Sequence, residues 1–289
     1  MKLVKEIMEE MSLKEEFSRI DIAEHPFTIR IGTNDTRITT NFRDNPLFSF
    51  GSSMHEAGHA LYELGLPEEH QFNVLCDSPS TGLHESQSRF WENMIGKNKP
   101  FWKRYFKKFS QEFNLGEDFE QWFREVNEIF PGKIRIESDE IHYCLHIIMR
   151  SEIEIGLIEG TIDVKDLPEI WNKKMKEYFD VTPKNMKEGV LQDMHWSDGS
   201  FGYFPTYALG SIYAAQIYEA IEKDFPEIEK DIEKGNYSEI LLWLRKNIHY
   251  HGRKLLAEDI IKNITGSGLN VDCYLNYLNN KYQEIYKFE

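Results

Sequence analysis

The sequence predicts a mainly α protein with a small β-sheet beside the helices. Most segments place apolar residues at helical spacing, and only two short stretches are rich in β-branched residues of strand character. The length of 289 residues, 40% of them hydrophobic, provides for a substantial core. No internal repeat, low-complexity tract or Pro/Gly/Ser-rich linker marks a boundary, so residues 1–289 read as a single domain, with two lobes around a groove as its variant.

In chain order, the N-terminus "MKLVKEIMEEMSLKEEF" carries charge throughout and lacks the apolar run of a signal peptide. Phe27–Phe42, "FTIRIGTNDTRITTNF", reads as extended chain around a Gly-Thr-Asn-Asp turn. Gly51–Gly65, "GSSMHEAGHALYELG", reads as a helix capped by Ser52 or Ser53 and ended by Gly65, with Met54, Leu61 and Leu64 near one face. A second helix over Gly82–Met94 gathers Glu85, Ser88, Arg89 and Glu92 on one face and turns Phe90, Trp91, Met94 and the following Ile95 to the core. "KIRIES", Lys133–Ser138, is the other extended stretch. Asp139–Gly160 spaces Ile141, Leu145, Ile148, Ile153 and Leu157 as a helix that stops at a glycine. Helical patterns follow over Leu167–Tyr178, Thr206–Lys223, Tyr237–Ile248 and Cys273–Lys287, and the acidic run Glu222–Lys234 reads as a solvated face.

Charge and composition narrow the function. A net charge of -15 and a pI near 5.2 argue against a broad nucleic-acid footprint, which draws on clustered Lys and Arg. No apolar run approaches the roughly 20 residues of a membrane span. Cys76, Cys144 and Cys273 are odd in number and far apart, which suits a reducing compartment, and a cytoplasmic protein is expected.

The chemistry concentrates at His55-Glu56-x-x-His59. Residues four apart on a helix stack with Cβ atoms about 5–6 Å apart, so both imidazoles can reach one ion with Glu56 beside it. A catalytic metal usually takes a third protein ligand. The extended motif with a glycine and a third histidine fails, because Tyr62 and Gly65 occupy those places. A glutamate on a later helix is the other common solution, and Glu85 follows His59 by 26 residues. An i,i+4 ion pair with Arg89 is the competing reading of Glu85.

Around these residues the chain resembles the carboxypeptidase Taq family of metallocarboxypeptidases. The resemblance rests on "HPF" (His25–Phe27), "DTRIT" (Asp35–Thr39), "HEAGH" (His55–His59), "HESQ" (His84–Gln87), "IRIESD" (Ile134–Asp139), "GVLQDMHW" (Gly189–Trp196) and "GYFPTY" (Gly202–Tyr207), in the family's order. Ser138 stands where that family usually has alanine. Family members also carry a long helical region before the first motif, and this chain starts close to it. It therefore resembles the C-terminal catalytic part.

The resemblance implies a helical metallopeptidase fold with the small sheet beside an active-site groove, and a metal held by His55, His59 and Glu85. Zinc is the expected ion, with cobalt or another divalent ion as the alternative. Glu56 is the expected general base towards a metal-activated water. By family position His195 and Tyr207 are donors to the oxyanion, with Tyr203 competing. Arg37 and Arg135, each on a predicted strand, are candidates for the substrate's terminal carboxylate, with an Arg135–Asp139 ion pair as the structural alternative. The expected substrates are peptides with a free C-terminus, and the expected assembly is a homodimer or a pairing with a separate chain supplying an N-terminal half. An open-groove endopeptidase or oligopeptidase, or one half of a split peptidase with low activity alone, are the competing functions. His84 is read as orienting Glu85 or bonding substrate, His142 and His146 as groove-wall or core histidines, and His249 and His251 as residues of a helix connection.

Overall fold

The computed structural model describes residues 1–43 and 45–288. They form two compact units, Met1–Val126 with Gly210–Glu289, and Asn127–Leu209. The first unit opens with α1 (Lys2–Glu10), the strands β1 (Ser18–Ile22), β2 (Phe27–Gly32) and β3 (Asp35–Thr40), and α2 (Pro46–Glu63). It continues with α3 (Thr81–Arg89), which runs into a wide π turn over Phe90–Ile95, then α4 (Lys99–Phe113) and α5 (Phe119–Val126). The second unit holds α6 (Glu140–Ile158), α7 (Leu167–Phe179) and the start of α8 (Pro205–Asp224). The rest of α8 belongs to the first unit with α9 (Ile228–Lys234), α10 (Ser238–Asn247), α11 (Ala257–Thr265) and α12 (Val271–Tyr286). Helices dominate and one small sheet accompanies them, as the sequence predicts. Among the described residues no helix is long and apolar enough to cross a membrane.

The sheet has the order β1-β3-β2, with β3 parallel to β1 and antiparallel to β2. Thr28 pairs with Ile38 and Arg30 with Thr36, so these four residues share one face, which packs on α2. Arg37 and its partner Ile29 point the other way.

Helix α2 begins earlier than the serines suggest. The Asn45 side chain accepts the Leu47 N–H at 2.9 Å and Pro46 sits in the first turn, where its missing N–H costs nothing. Ser52 and Ser53 therefore lie inside the helix and turn their hydroxyls back to the Ser49 carbonyl at 3.1 and 2.7 Å. Phe50, one turn before His55, is anchored in an aromatic core with Phe101, Trp102 and Phe109, at ring separations of 5.3–5.5 Å. Gly65 ends the motif for a reason of space: a Cβ there would lie 2.3 Å from Nδ1 of His249. His249 is fully buried and its Nε2 meets the Gln87 side-chain oxygen at 2.9 Å.

In the second unit Met149 and Ile153 of α6 pack on Trp171, Met175 and Phe179 of α7. The expected strand over Lys133–Ser138 is not formed; Arg135–Glu137 is a 3-10 turn. Its backbone is satisfied by a side chain instead of a neighbouring strand, since Gln192 accepts the Arg135 N–H at 2.9 Å and donates to the Lys133 carbonyl at 3.0 Å.

His146 is a satisfied core histidine, as expected. Its Nε2 meets the Gly132 carbonyl at 3.1 Å, Nδ1 accepts from Arg150 at 3.1 Å, and the ring stacks on Phe179 at 4.1 Å. Burial, aided by the Arg150 charge, lowers its pKa to about 3. Between about 6.5 and that value the unfolded chain takes up a proton that the folded chain refuses, so stability falls as pH falls through this window. The loss from pH 6.5 to 4.5 is expected to be on the order of 2 kcal/mol. His146→Gln should flatten that limb when urea midpoints are compared at the two pH values; an unchanged slope would assign the acid sensitivity elsewhere.

Candidate metal centre

The first unit builds the centre from α2 and α3, packed side by side. His55, His59 and Glu63 recur every four residues along one face of α2, and His84, Glu85, Arg89 and Glu92 meet them from α3 and its π turn. His55 Nε2 and His59 Nε2 lie 3.5 and 3.4 Å from the same oxygen, Oε2 of Glu85. The ligand atoms that the three residues offer all lie within 4.8 Å of one another.

The outer ring nitrogens are occupied. His55 Nδ1 meets Glu92 Oε2 at 2.9 Å and His59 Nδ1 meets His84 Nδ1 at 2.7 Å. A carboxylate only accepts, so His55 donates through Nδ1 and, when neutral, turns its Nε2 lone pair inward. Glu85 divides its two oxygens: Oε2 faces the imidazoles while Oε1 accepts from Arg89 Nε at 2.8 Å. The ion pair with Arg89 thus leaves the other oxygen of this glutamate turned to the imidazoles. Arg89 also reaches Glu92 at 3.1 Å and braces the two carboxylates.

Two imidazole nitrogens and one carboxylate form the donor set of a catalytic zinc or a similar divalent ion, and these residues fit it. The electrostatics differ between the two histidines. Burial disfavours an imidazolium at His55, but Glu85 and Glu92 outweigh it and raise the pKa to about 9. Burial, with His84 next, lowers His59 to about 4. Burial also opposes the Glu85 carboxylate, yet His55 and Arg89 hold it well below the usual range. Positive charge is thus favoured at His55, beside Glu85 and Glu92, and disfavoured at His59.

Glu56 is 7% exposed, and burial raises its carboxyl above the ordinary range. The Thr28 hydroxyl, from the sheet face that packs on α2, sits 2.7 Å from the Glu56 carboxylate and 2.9 Å from its carbonyl oxygen. Strand β2 thus fixes the side chain that lies between the two histidines in sequence.

Two glycines set the spacing. A Cβ at Gly58 would come within 2.6 Å of the Gln87 carbonyl oxygen and 2.7 Å of the Ser88 Cα, both backbone atoms of α3. One at Gly210, on α8, would lie 2.4 Å from Cγ of Glu85. A glycine inside a helix costs about 1 kcal/mol against alanine, which is the sequence signal that a close approach resides there. Gly58→Ala is expected to cost about 1–3 kcal/mol and to weaken metal uptake, because α3 must move outward with Glu85 on it. Chelator competition with zinc beside a thermal melt checks this; wild-type uptake would show that the helices tolerate the methyl.

The remaining candidates occupy other places. Arg37 pairs with Asp35 at 2.8 Å, on the face of the sheet opposite Thr28, and lines a surface cleft with Lys5, Arg19 and Asp21. Arg135, His195, Tyr203 and Tyr207 gather in the second unit. His195 Nε2 and the Tyr207 hydroxyl are 2.8 Å apart, and the Tyr203 ring lies 5.6 Å from His195 and 5.5 Å from Tyr207. Arg135 is buried, and its guanidinium stands 4.8 Å from the Tyr207 ring. Its partner is Asp193 at 2.8 Å; Asp139 instead caps α6 and holds His142 at 2.7 Å. Arg150 reaches the other oxygen of Asp193 at 2.7 Å. Asp193 lies within the GVLQDMHW motif and Glu92 on the predicted polar face of the second helix, Arg150 and Thr28 in no motif, and the roles of all four emerge only from tertiary contacts.

A helical fold that gathers two imidazoles and a carboxylate from two packed helices has the centre of a metallopeptidase. Residues 1–282 match the family described as Carboxypeptidase Taq (M32) metallopeptidase, and the chain belongs to that family. It is 41% identical to Carboxypeptidase 1 of Bacillus subtilis over 96% of this chain and 56% of that protein. It is 42% identical to Thermostable carboxypeptidase 1 of Thermus thermophilus over 94% and 54%. The crystal structure of the M32 carboxypeptidase from Deinococcus radiodurans R1 superposes with a TM-score of 0.95 at 35% identity, over 99% of this chain and 59% of that one. The chain spans about half the length of the curated relatives it matches.

Proposed function

We propose that this chain is a metal-dependent carboxypeptidase that hydrolyses C-terminal peptide bonds of peptides, with zinc as its ion and cobalt or another divalent ion as the substitute. The observation that carries the reading is the convergence of His55, His59 and Glu85, within 4.8 Å of one another, in a chain of a metallocarboxypeptidase family. When bound, such an ion polarises the scissile carbonyl and acidifies water towards a pKa of about 7. Glu56 would act as the general base, accepting a proton from the attacking water and passing it to the leaving amine. Its raised pKa suits both directions, and the Thr28 hydroxyl aims it.

Tyr207, hydrogen-bonded to His195, is the proposed donor to the developing oxyanion, with Tyr203 as its rival. Arg135, rigidly held, takes the substrate's terminal carboxylate, whereas Arg37, the other candidate, pairs with Asp35 on the sheet face turned away from α2. A cytoplasmic homodimer, or a pairing with a separate chain, completes the proposal.

The test follows single peptides by mass spectrometry. A ladder losing one C-terminal residue at a time, abolished by chelation and restored by zinc, is expected. Internal fragments from a C-terminally amidated peptide would favour an endopeptidase, and hydrolysis indifferent to chelation would overturn the metal-dependent reading.

A further inference from the structure

The two histidine ligands are held differently. His55 leans on a carboxylate, Glu92, at 2.9 Å. His59 leans on another imidazole, His84, at 2.7 Å between the two Nδ1 atoms. Two Nδ1 atoms at that distance share one proton, and which ring carries it decides which nitrogen of His59 faces the ion.

The next link answers this. His84 Nε2 lies 2.8 Å from Glu63 Oε1, and Arg30 Nη1 lies 3.2 Å from Glu63 Oε2. Arg30 is itself anchored by the Cys76 carbonyl at 2.7 Å. With the Arg30 guanidinium beside it, Glu63 is a carboxylate. A carboxylate accepts, so His84 Nε2 carries a hydrogen. For His59 to offer an ion the lone pair of Nε2 its hydrogen must sit on Nδ1, and the Nε2–H form of His84, with a bare Nδ1 at 2.7 Å, is the form that accepts it. The lone pair of His59 is left on Nε2, the atom that faces Glu85 Oε2 at 3.4 Å. Both nitrogens of His84 are engaged in this chain of bonds and neither remains to ligate.

We propose that His84, braced by Glu63 and Arg30, is a positioning residue that fixes the tautomer and aim of His59 and so raises the affinity of the centre for its ion. The inference rests on the metal reading above. Hydrogen-bond partners of metal-bound histidines typically matter by about ten- to a hundredfold in affinity. Strand β2 contributes twice, through Arg30 here and through Thr28 to Glu56, from one face of the same strand.

The test uses the full chain and zinc alone. Long-range ¹H–¹⁵N spectra of the zinc-loaded chain should show His59 as the Nδ1–H tautomer and His84 as the Nε2–H tautomer. His84→Phe, which keeps the ring and removes both bonds, should weaken zinc binding about ten- to a hundredfold in chelator competition. Glu63→Gln, milder in shape, should weaken it several-fold, which keeps the test decisive should the first variant fold poorly. Wild-type affinity in both variants, or a His84 carrying its hydrogen on Nδ1, would overturn the relay while leaving the metal reading intact. A wild-type chain that takes up no zinc would overturn the metal reading, and the relay with it.

Discussion

Glu56→Gln is expected to take up zinc as the wild type does and to lower kcat by about 10²–10⁴-fold. The substitution keeps the shape of a side chain that is 7% exposed, and the amide oxygen still accepts the Thr28 hydroxyl now bonded at 2.7 Å. It touches none of the three ligand residues, so the donor set is preserved. What it removes is the capacity to accept and return a proton at that position. Zinc stoichiometry, KM and kcat measured on one peptide separate these contributions: bound zinc and KM should hold while kcat falls. A kcat within tenfold of wild type would mean that another group takes the proton.

Asp193→Ala is expected to destabilise the chain by about 3–5 kcal/mol, because it strands two buried cations together. Asp193 holds Arg135 through one oxygen and Arg150 through the other, at 2.8 and 2.7 Å, and Arg150 is fully buried. Burial opposes charge at Asp193, yet the two guanidinium groups hold its pKa below the ordinary value. One atom of Arg150, Nη2, already has no hydrogen-bond partner among the described residues. Asp193→Asn, which keeps a hydrogen-bonding oxygen and loses the charge, should cost less. Urea midpoints for the pair measure the effect, and a cost below about 1 kcal/mol for the alanine variant would show that the two arginines find water or each other's partners.

The sequence was legible where local rules decide structure. Helical periodicity predicted α6, α7, α8, α10 and α12 within one or two residues, and the β-branched run around Gly-Thr-Asn-Asp produced the β2–β3 hairpin. The convergence of His55, His59 and Glu85 was legible because a metal would impose such a spacing on its ligands. The start of α2 was not: serines at Ser52 and Ser53 imitate a cap that Asn45 and Pro46 supply earlier. Nor was the turn at Arg135, where β-branched composition is overruled by a side chain, Gln192, that satisfies the backbone. Braces such as Glu92 and Glu63, and the spacing role of Gly58, depend on where a second helix comes to rest, which no local pattern encodes.

The metal centre also has a consequence for the order in which the chain takes shape. Thr28, Arg30, His55, Glu56, His59, Glu63, His84, Glu85, Arg89 and Glu92 all precede residue 93. The bonds that join their elements span from 21 residues (His84–Glu63) to 37 (His55–Glu92), against 162 for His249–Gln87, so they close the smaller loops at the lower cost in chain entropy. During synthesis the candidate donor set exists once residue 85 has been added, and its brace Glu92 follows within the same helix and π turn. Gly210, which lies against Glu85, and His249, which bonds Gln87, come from segments made much later. The helix pair is thus complete in the chain before the segments that enclose it, and a divalent ion bound at that stage would favour the pair over its unfolded alternatives by mass action.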